Sequence, residues 1–273
     1  MKPRRTTWEW VVIALASLFF FVPLLAMARF ALQRVPMSLL GRDTLFTRWT
    51  IDGVINIIQD EGFVPALWLS VRIGVLTAFF LLLLMLPTVL WLHLRAQKLK
   101  LLAETLSLLP YVVPPIALVV GVSGAFRTSF PWIITSNFGL VPLYVILCLP
   151  FAYRTLDAGI GAIDLRTLVD ASSSLGASPL TTFFRVLIPN LWVSIASTTF
   201  LGFAVVLGEF AISSLLLKPT LPMFMAEAQG QEPQGAMAVG LLLLLFTTLL
   251  FFLIGRFQKR TNNDSQHTMR GAP

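Results

Sequence analysis

One cysteine in 273 residues, two histidines and a charged fraction of 12% deprive this chain of most ordinary site chemistry. Cys148 stands alone inside an apolar run, which excludes an internal disulfide and a cysteine-held metal site. His93 and His267 are far apart in sequence and have no neighbouring ligand pattern, so no metal site is expected. No glycine-rich loop carrying a phosphate-binding lysine occurs, which excludes the usual mode of ATP binding by this chain. No cluster of carboxylates or histidines falls at one membrane depth, so no catalytic residue is assigned and a membrane-embedded enzyme is disfavoured. A soluble domain is about a quarter charged. Here hydrophobic residues reach 56% and the mean hydropathy is +0.82, the composition of a polytopic membrane protein. Neither an internal repeat nor an appended soluble domain is visible.

Six stretches approach the roughly 20 apolar residues that a helical span needs. They are Trp10–Ala28, Ala66–Leu92, Leu106–Phe126, Phe138–Ala152, Leu191–Leu217 and Ala236–Ile254. Prolines 87, 110, 114, 115, 142 and 150 lie in or near them, which neighbouring helices can accommodate. Basic residues set the orientation. With both termini inside, the inner segments hold Lys2, Arg4, Arg5, Arg95, Lys98, Lys100, Arg154, Arg166, Arg185, Arg256, Lys259, Arg260 and Arg270. The outer ones hold only Arg29, Arg34, Arg42, Arg48, Arg127 and Lys218, balanced by six acids. The formal net charge of +7 therefore belongs to the inner face. Because these charges border spans and form no single patch, a nucleic-acid partner is excluded and the lipid bilayer is the expected surrounding. Two readings of the N-terminus stay open. Lys2–Arg5, an apolar core and Ala26-Met27-Ala28 resemble a signal peptide, whereas the length of the apolar run favours a retained first span.

Between Ala152 and Leu191 the chain turns polar. Asp164 can cap a short helix whose Leu165, Leu168, Val169 and Leu175 fall roughly on one face. Gly176 suits a left-handed residue just past the end of that helix. Ser178-Pro179 reads as the cap and first residue of a second helix, which Pro189 should interrupt or kink. Small residues from Ala171 to Ala177 would let another backbone come close. A plain solvated connector would need none of this order.

The order itself resembles a known motif. Asp170-Ala171-Ser172, three residues, Gly176, nine residues, Val186, one residue and Ile188-Pro189 resemble the EAA loop of membrane subunits of bacterial ABC importers. The acid is Asp instead of Glu, and Ser172, Val186 and Ile188 are mild departures. Further similarity lies in Trp49-Thr50-Ile51-Asp52, Ala66–Ser70, Leu109-Pro110 with Pro114, Leu149-Pro150-Phe151 with Arg154, Leu207–Phe210 and Thr220-Leu221-Pro222. The chain thus resembles a type I ABC importer permease of the polyamine, iron, thiamine, sulfate, molybdate and phosphonate group. The resemblance implies an all-α membrane fold of about six transmembrane helices with a cytoplasmic helix-turn-helix coupling loop. It divides the chain into an N-terminal span with an outer segment (1–64), a five-span permease core (65–255) and a polar inner tail without fixed structure (256–273). It also implies a cytoplasmic ATPase dimer that binds the ATP, a second permease subunit, an extracytoplasmic solute-binding protein and a place in the bacterial inner membrane. Asp170, Ala171, Ser172, Gly176, Ala177 and Pro189 would form the coupling loop. Glu209 and Arg72 fall inside spans, where charge is costly and serves either a pathway or a structural bond. Leu-Gly-Glu-Phe recurs across family members with different solutes, which favours the structural role for Glu209, while Arg72 near a span end can snorkel. Ser194, Thr198 and Gly202, spaced by four, read as a close-packing face. A polyamine is the expected solute, with the other solutes of the group as alternatives. The rival from another class, an ion-gradient-driven transporter, would need matched charged or broken helices in two repeats, and Arg72 and Glu209 do not form such a pair.

Overall fold

The computed structural model describes residues 7–33 and 48–270. Lys2, Arg4 and Arg5, and Arg34, Arg42 and Asp43 of the expected outer segment, lie outside the described residues. Among the described residues regular structure is helical throughout, apart from one isolated bridge between Gln33 and Trp49.

Three helices are long and apolar enough to cross a membrane unbroken: α1 (Thr7–Leu32), α3 (Phe63–Leu94) and α7 (Leu140–Gly161, entered through a short 3₁₀ turn at Asn137–Gly139). Two more spans are bent. Helix α4 (Lys100–Val112) meets α5 (Pro115–Phe126) at 94°, so the expected third span is not a single rod. The cause is local: Pro115 pushes Pro114 out of the helical region, and Pro114 is extended at ψ 141°. The expected fifth span, Leu191–Leu217, is likewise broken. A 75° bend at Leu191 precedes α11 (Trp192–Gly208), which ends before a separate short helix, α12 (Ala211–Leu215). The last helix, α14 (Pro233–Arg270), has its apolar part at Pro233–Leu249. It carries helical backbone through the tail that was expected to lack structure. No proline or glycine interrupts residues 256–270, so nothing in the backbone stops a helix that has already started in the apolar part, weak helix formers at Thr261–Ser265 notwithstanding.

The chain divides into two compact units: 1–65 with 224–246, and 66–223 with 247–273. The segment 224–246 groups with the N-terminal part of the chain. Hydrogen bonds account for this grouping. Gln234 Nε2 donates to Gln33 O (2.9 Å), and Asn56 Nδ2, on α2 (Asp52–Gln59), donates to Glu232 Oε1 (3.3 Å). Phe63 and Phe224 add an edge-on ring contact at 6.0 Å.

The larger unit is built around α7, whose Leu140, Tyr144, Cys148, Leu156 and Ile160 are fully buried. In lipid an apolar side chain gains little by leaving the acyl chains, so helices associate through tight packing of small residues. The contact of α7 with α11 follows that rule: a Cβ added at Gly159 would overlap the Ser194 side chain, and Cys148 Sγ donates to Gly202 O at 3.9 Å. The Ser194, Thr198 and Gly202 face is therefore a packing seam, with Thr198 and Gly202 buried in it. The large exposed residues Phe79, Leu83, Leu84 and Leu109 are on the surface that lipid or a partner must cover.

Candidate functional site

The polar segment after α7 folds as two short helices back to back. Helix α8 (Leu165–Ser174) starts at Asp164, whose carboxylate accepts from Thr167 N–H (3.3 Å) and from Thr167 Oγ1 (2.8 Å). This satisfies one of the donors that a helix start leaves open. At the other end Gly176 has φ +79°. Its N–H donates to Ser173 O (2.9 Å), and the N–H of Ala177 donates to Ser172 O (3.1 Å). This is a Schellman closure, which needs a left-handed residue at the Gly176 position. Ser178 then caps α9 (Pro179–Thr182), its Oγ accepting from Thr181 N–H at 3.2 Å. A buried bond between the hydroxyls of Ser172 and Thr182, 2.8 Å, ties the two helices together. The turn is thus fixed by its own sequence, with one interhelical polar bond to hold its angle.

Beyond α9 the chain opens into a π-turn at Phe183–Leu187 and continues as α10 (Ile188–Asn190). Pro189 has no N–H to return to Arg185 O, and the next residue, Asn190, donates its side-chain Nδ2 to Val186 O at 2.7 Å. The sharp bend expected at Pro189 comes two residues later, at Leu191.

The face of this element that sequence periodicity marks as packed is only partly so. Leu165 is buried, and Leu168 and Val169 are half-buried. Leu175 is 89% exposed, because α8 ends at Ser174 and the helical period no longer applies to it. Leu180, on α9, and Phe184, in the π-turn that follows, are also exposed, so large apolar side chains stand free on the segment after Ser174. Asp170, Ala171, Ser173 and Ser174 are exposed, Ser172 is buried and Ala177 is half-buried. A Cβ added at Gly176 would meet nothing within 4 Å. The element is closed internally by hydrogen bonds, carries small exposed side chains at Ala171, Ser173 and Ser174, and exposes apolar ones at Leu175, Leu180 and Phe184.

Glu209 belongs to a different place. It occupies the break between α11 and α12 with extended backbone (φ −83°, ψ 110°), and both carboxylate oxygens accept from Ile212 N–H at 3.0 and 3.1 Å. The side chain supplies the acceptor that the first turn of α12 lacks. A cavity of about 510 Å³ opens beside it, walled by Tyr111, Phe151, Ala204, Val205 and Phe210. Arg72, on α3, is exposed and lays its guanidinium over the Trp68 ring at 5.1 Å. The structure does not bring Arg72 and Glu209 together.

A polar cluster that sequence reasoning missed closes the C-terminal end of α7. His93 Nε2 lies 2.7 Å from Asp157 Oδ1, Lys100 Nζ is 3.1 Å from His93 Nδ1, and Lys100 Nζ is 3.5 Å from the same Asp157 oxygen. An ammonium can only donate, so Nδ1 of His93 accepts and Nε2 carries the proton given to Asp157. Tyr153 OH donates to Lys100 O at 3.0 Å.

The description of inner membrane components of binding-protein-dependent transport systems matches residues 45–263. The sulfate transport system permease protein CysT of Synechococcus elongatus is 28% identical over 131 residues, covering 45% of this chain and 46% of the relative. The molybdenum permease protein ModB of Azotobacter vinelandii is 32% identical over 163 residues, 56% of this chain and 72% of the relative. The putrescine permease protein PotI of Escherichia coli K12 is 24% identical over 285 aligned positions, 98% of each chain. Against the sulfate relatives the chain spans about half of their length. A crystal structure of a bacterial ABC transporter involved in import of the acidic polysaccharide alginate shares the fold, with a TM-score of 0.65 over 94% of this chain at 12% identity. The chain belongs to the family of inner membrane components of binding-protein-dependent transport systems, and is a multi-pass, all-α membrane protein.

Proposed function

We propose that this chain is the permease subunit of an ATP-driven solute importer. It would line the translocation path with a second permease subunit and take its driving force from a separate cytoplasmic ATPase pair. A solute-binding protein would deliver the cargo from the opposite face. The observation that carries this reading is the closed helix-turn-helix at Asp164–Thr182. It is over-determined by caps, a Schellman turn and the Ser172–Thr182 bond, yet offers a smooth small-residue strip and exposed Leu175, Leu180 and Phe184. A mere connector has no use for internal rigidity combined with an exposed apolar rim. A lever that must seat in another protein's groove requires both. Closure of the ATPase pair would then move α8 as a rigid body and switch the access of the spans. The chain contributes no catalytic group, and ATP is bound by the partner.

For the solute we infer a small charged molecule, with a polyamine first. The match that runs the length of both chains is to a putrescine permease, whereas the sulfate and molybdenum relatives match over shorter stretches at higher identity. An oxyanion is the second reading on that account. Membrane vesicles holding the complex, loaded with ATP and given labelled putrescine, sulfate or molybdate with the binding protein, decide between them. Uptake that persists without ATP and collapses with an ionophore would instead point to an ion-gradient transporter and overturn the importer reading.

A further inference from the structure

The cluster at the C-terminal end of α7 has no role in the reading above, and it sits where a lever would need a joint. Helix α8 hangs from α7 by three residues, Ala162, Ile163 and Asp164. Its packed side, Leu165 with Ile163, joins the same apolar core as Leu92 of α3 and Leu156 and Ile160 of α7. Such contacts hold helices together but are non-directional and let them slide. Hydrogen bonds to charged groups resist sliding, since they are short and directional.

Those directional bonds converge on three helix ends. His93 is in the last turn of α3, Lys100 is the first residue of α4 and Asp157 lies one turn before the end of α7. The His93 side chain is 11% exposed and both its ring nitrogens are engaged. Lys100 is held twice more, through Asp157 and through Tyr153 OH on its carbonyl. One turn further along α4, Arg154 approaches Glu104 at 3.9 Å and extends the same seam. Only one of these helices, α7, is connected covalently to α8.

We propose that His93, Asp157 and Lys100 are positioning residues that make the ends of α3 and α4 move together with α7 when the coupling helix α8 is displaced. The proposal rests on the importer reading for its functional consequence, though the clamp itself can be measured without transport. In this role the three side chains act through the helices they join and need no contact with solute or nucleotide.

Two variants at one position separate this role from plain support. Glutamine at position 93 can donate to Asp157 and accept from Lys100, whereas leucine of similar bulk can do neither. In the full complex reconstituted with its ATPase and binding protein, His93→Leu should lower solute imported per ATP hydrolysed by about three- to tenfold, the range for residues in a coupling network. His93→Gln should stay within about twofold of the parent. In the purified subunit, His93→Leu should speed amide hydrogen exchange over residues 97–104, and His93→Gln should not. Lys100→Met and Asp157→Asn should each lower the ratio, and the double variant should fall no further than the worse single, since the groups work as one unit. Exchange over 97–104 unchanged in His93→Leu, or an unchanged import-to-hydrolysis ratio with only a smaller yield of complex, overturns the proposal. Uptake by the parent that persists without ATP and collapses with an ionophore overturns the importer reading instead, and the exchange measurement still judges the clamp.

Discussion

Replacing Gly176 tests the proposed coupling role at the turn itself. The residue sits at φ +79° and a Cβ there would meet nothing within 4 Å, so within this chain the cost of a side chain is conformational only. A residue with a Cβ pays about 1 kcal/mol for that backbone, which is about a fivefold loss in the population of the native turn. Asparagine tolerates the left-handed region better than alanine and should lose less from the backbone alone. A partner groove closing over Ala171–Ala177 reverses that order, because it penalises size. Gly176→Ala should therefore lose about fivefold or less in ATPase co-purification and ATP-driven uptake, while Gly176→Asn and Gly176→Asp should lose clearly more. Membrane insertion should be normal in all three. The control is Asp52→Lys, at the start of α2, which should leave both readouts intact. Normal co-purification and uptake in Gly176→Asp would refute the docking argument, and losses that follow only left-handed propensity, with asparagine best, would reduce the site to a folding element.

Asp170→Lys, on the exposed strip of α8, should weaken coupling in the same assay more mildly than Gly176→Asp, since it changes charge without straining the backbone. Glu209→Gln keeps an acceptor for Ile212 N–H and should lower uptake of every accepted solute in parallel, whereas Glu209→Ala leaves a buried N–H unmatched and should cost the fold about 1–3 kcal/mol; a changed solute preference in Glu209→Gln, with the complex intact, would instead place the residue in the binding path. Gly159→Ala should disrupt the α7–α11 seam and lower the thermal stability of the detergent-solubilised subunit, and Ser194→Gly in the same chain should recover most of the loss, a non-additivity that a double-mutant cycle reads directly. Reporter fusions after Arg256 should be active only with a cytoplasmic reporter, as the distribution of lysine and arginine requires; alkaline phosphatase activity there would invert the topology.

How far the residues announced these features depends on the range of the forces involved. The reversal at Gly176 was legible because caps and left-handed glycines are decided within five or six residues: Asp164, Gly176, Ser178 and Pro179 each do what their local chemistry allows. The 94° bend was half legible, since the Pro114-Pro115 pair marks a break but not its angle. The break at Glu209 was hidden, because the apolar run continues through it and the Glu209–Ile212 bond leaves no periodic signature. Leu175 was misplaced because a period was carried one residue past the end of its helix. The His93 cluster was the least legible, with its members 64 and 57 positions apart from Asp157. A signal for it existed nonetheless. The assigned topology already puts the end of the second span, the start of the third and the end of the fourth on one face. A polar side chain at such an end that packing takes out of water, as for His93 at 11% exposure, needs a partner and finds it on a facing end. Reading span ends as a set of facing groups, instead of reading each histidine or lysine against its sequence neighbours, turns an isolated His93 into a candidate for long-range pairing with Asp157.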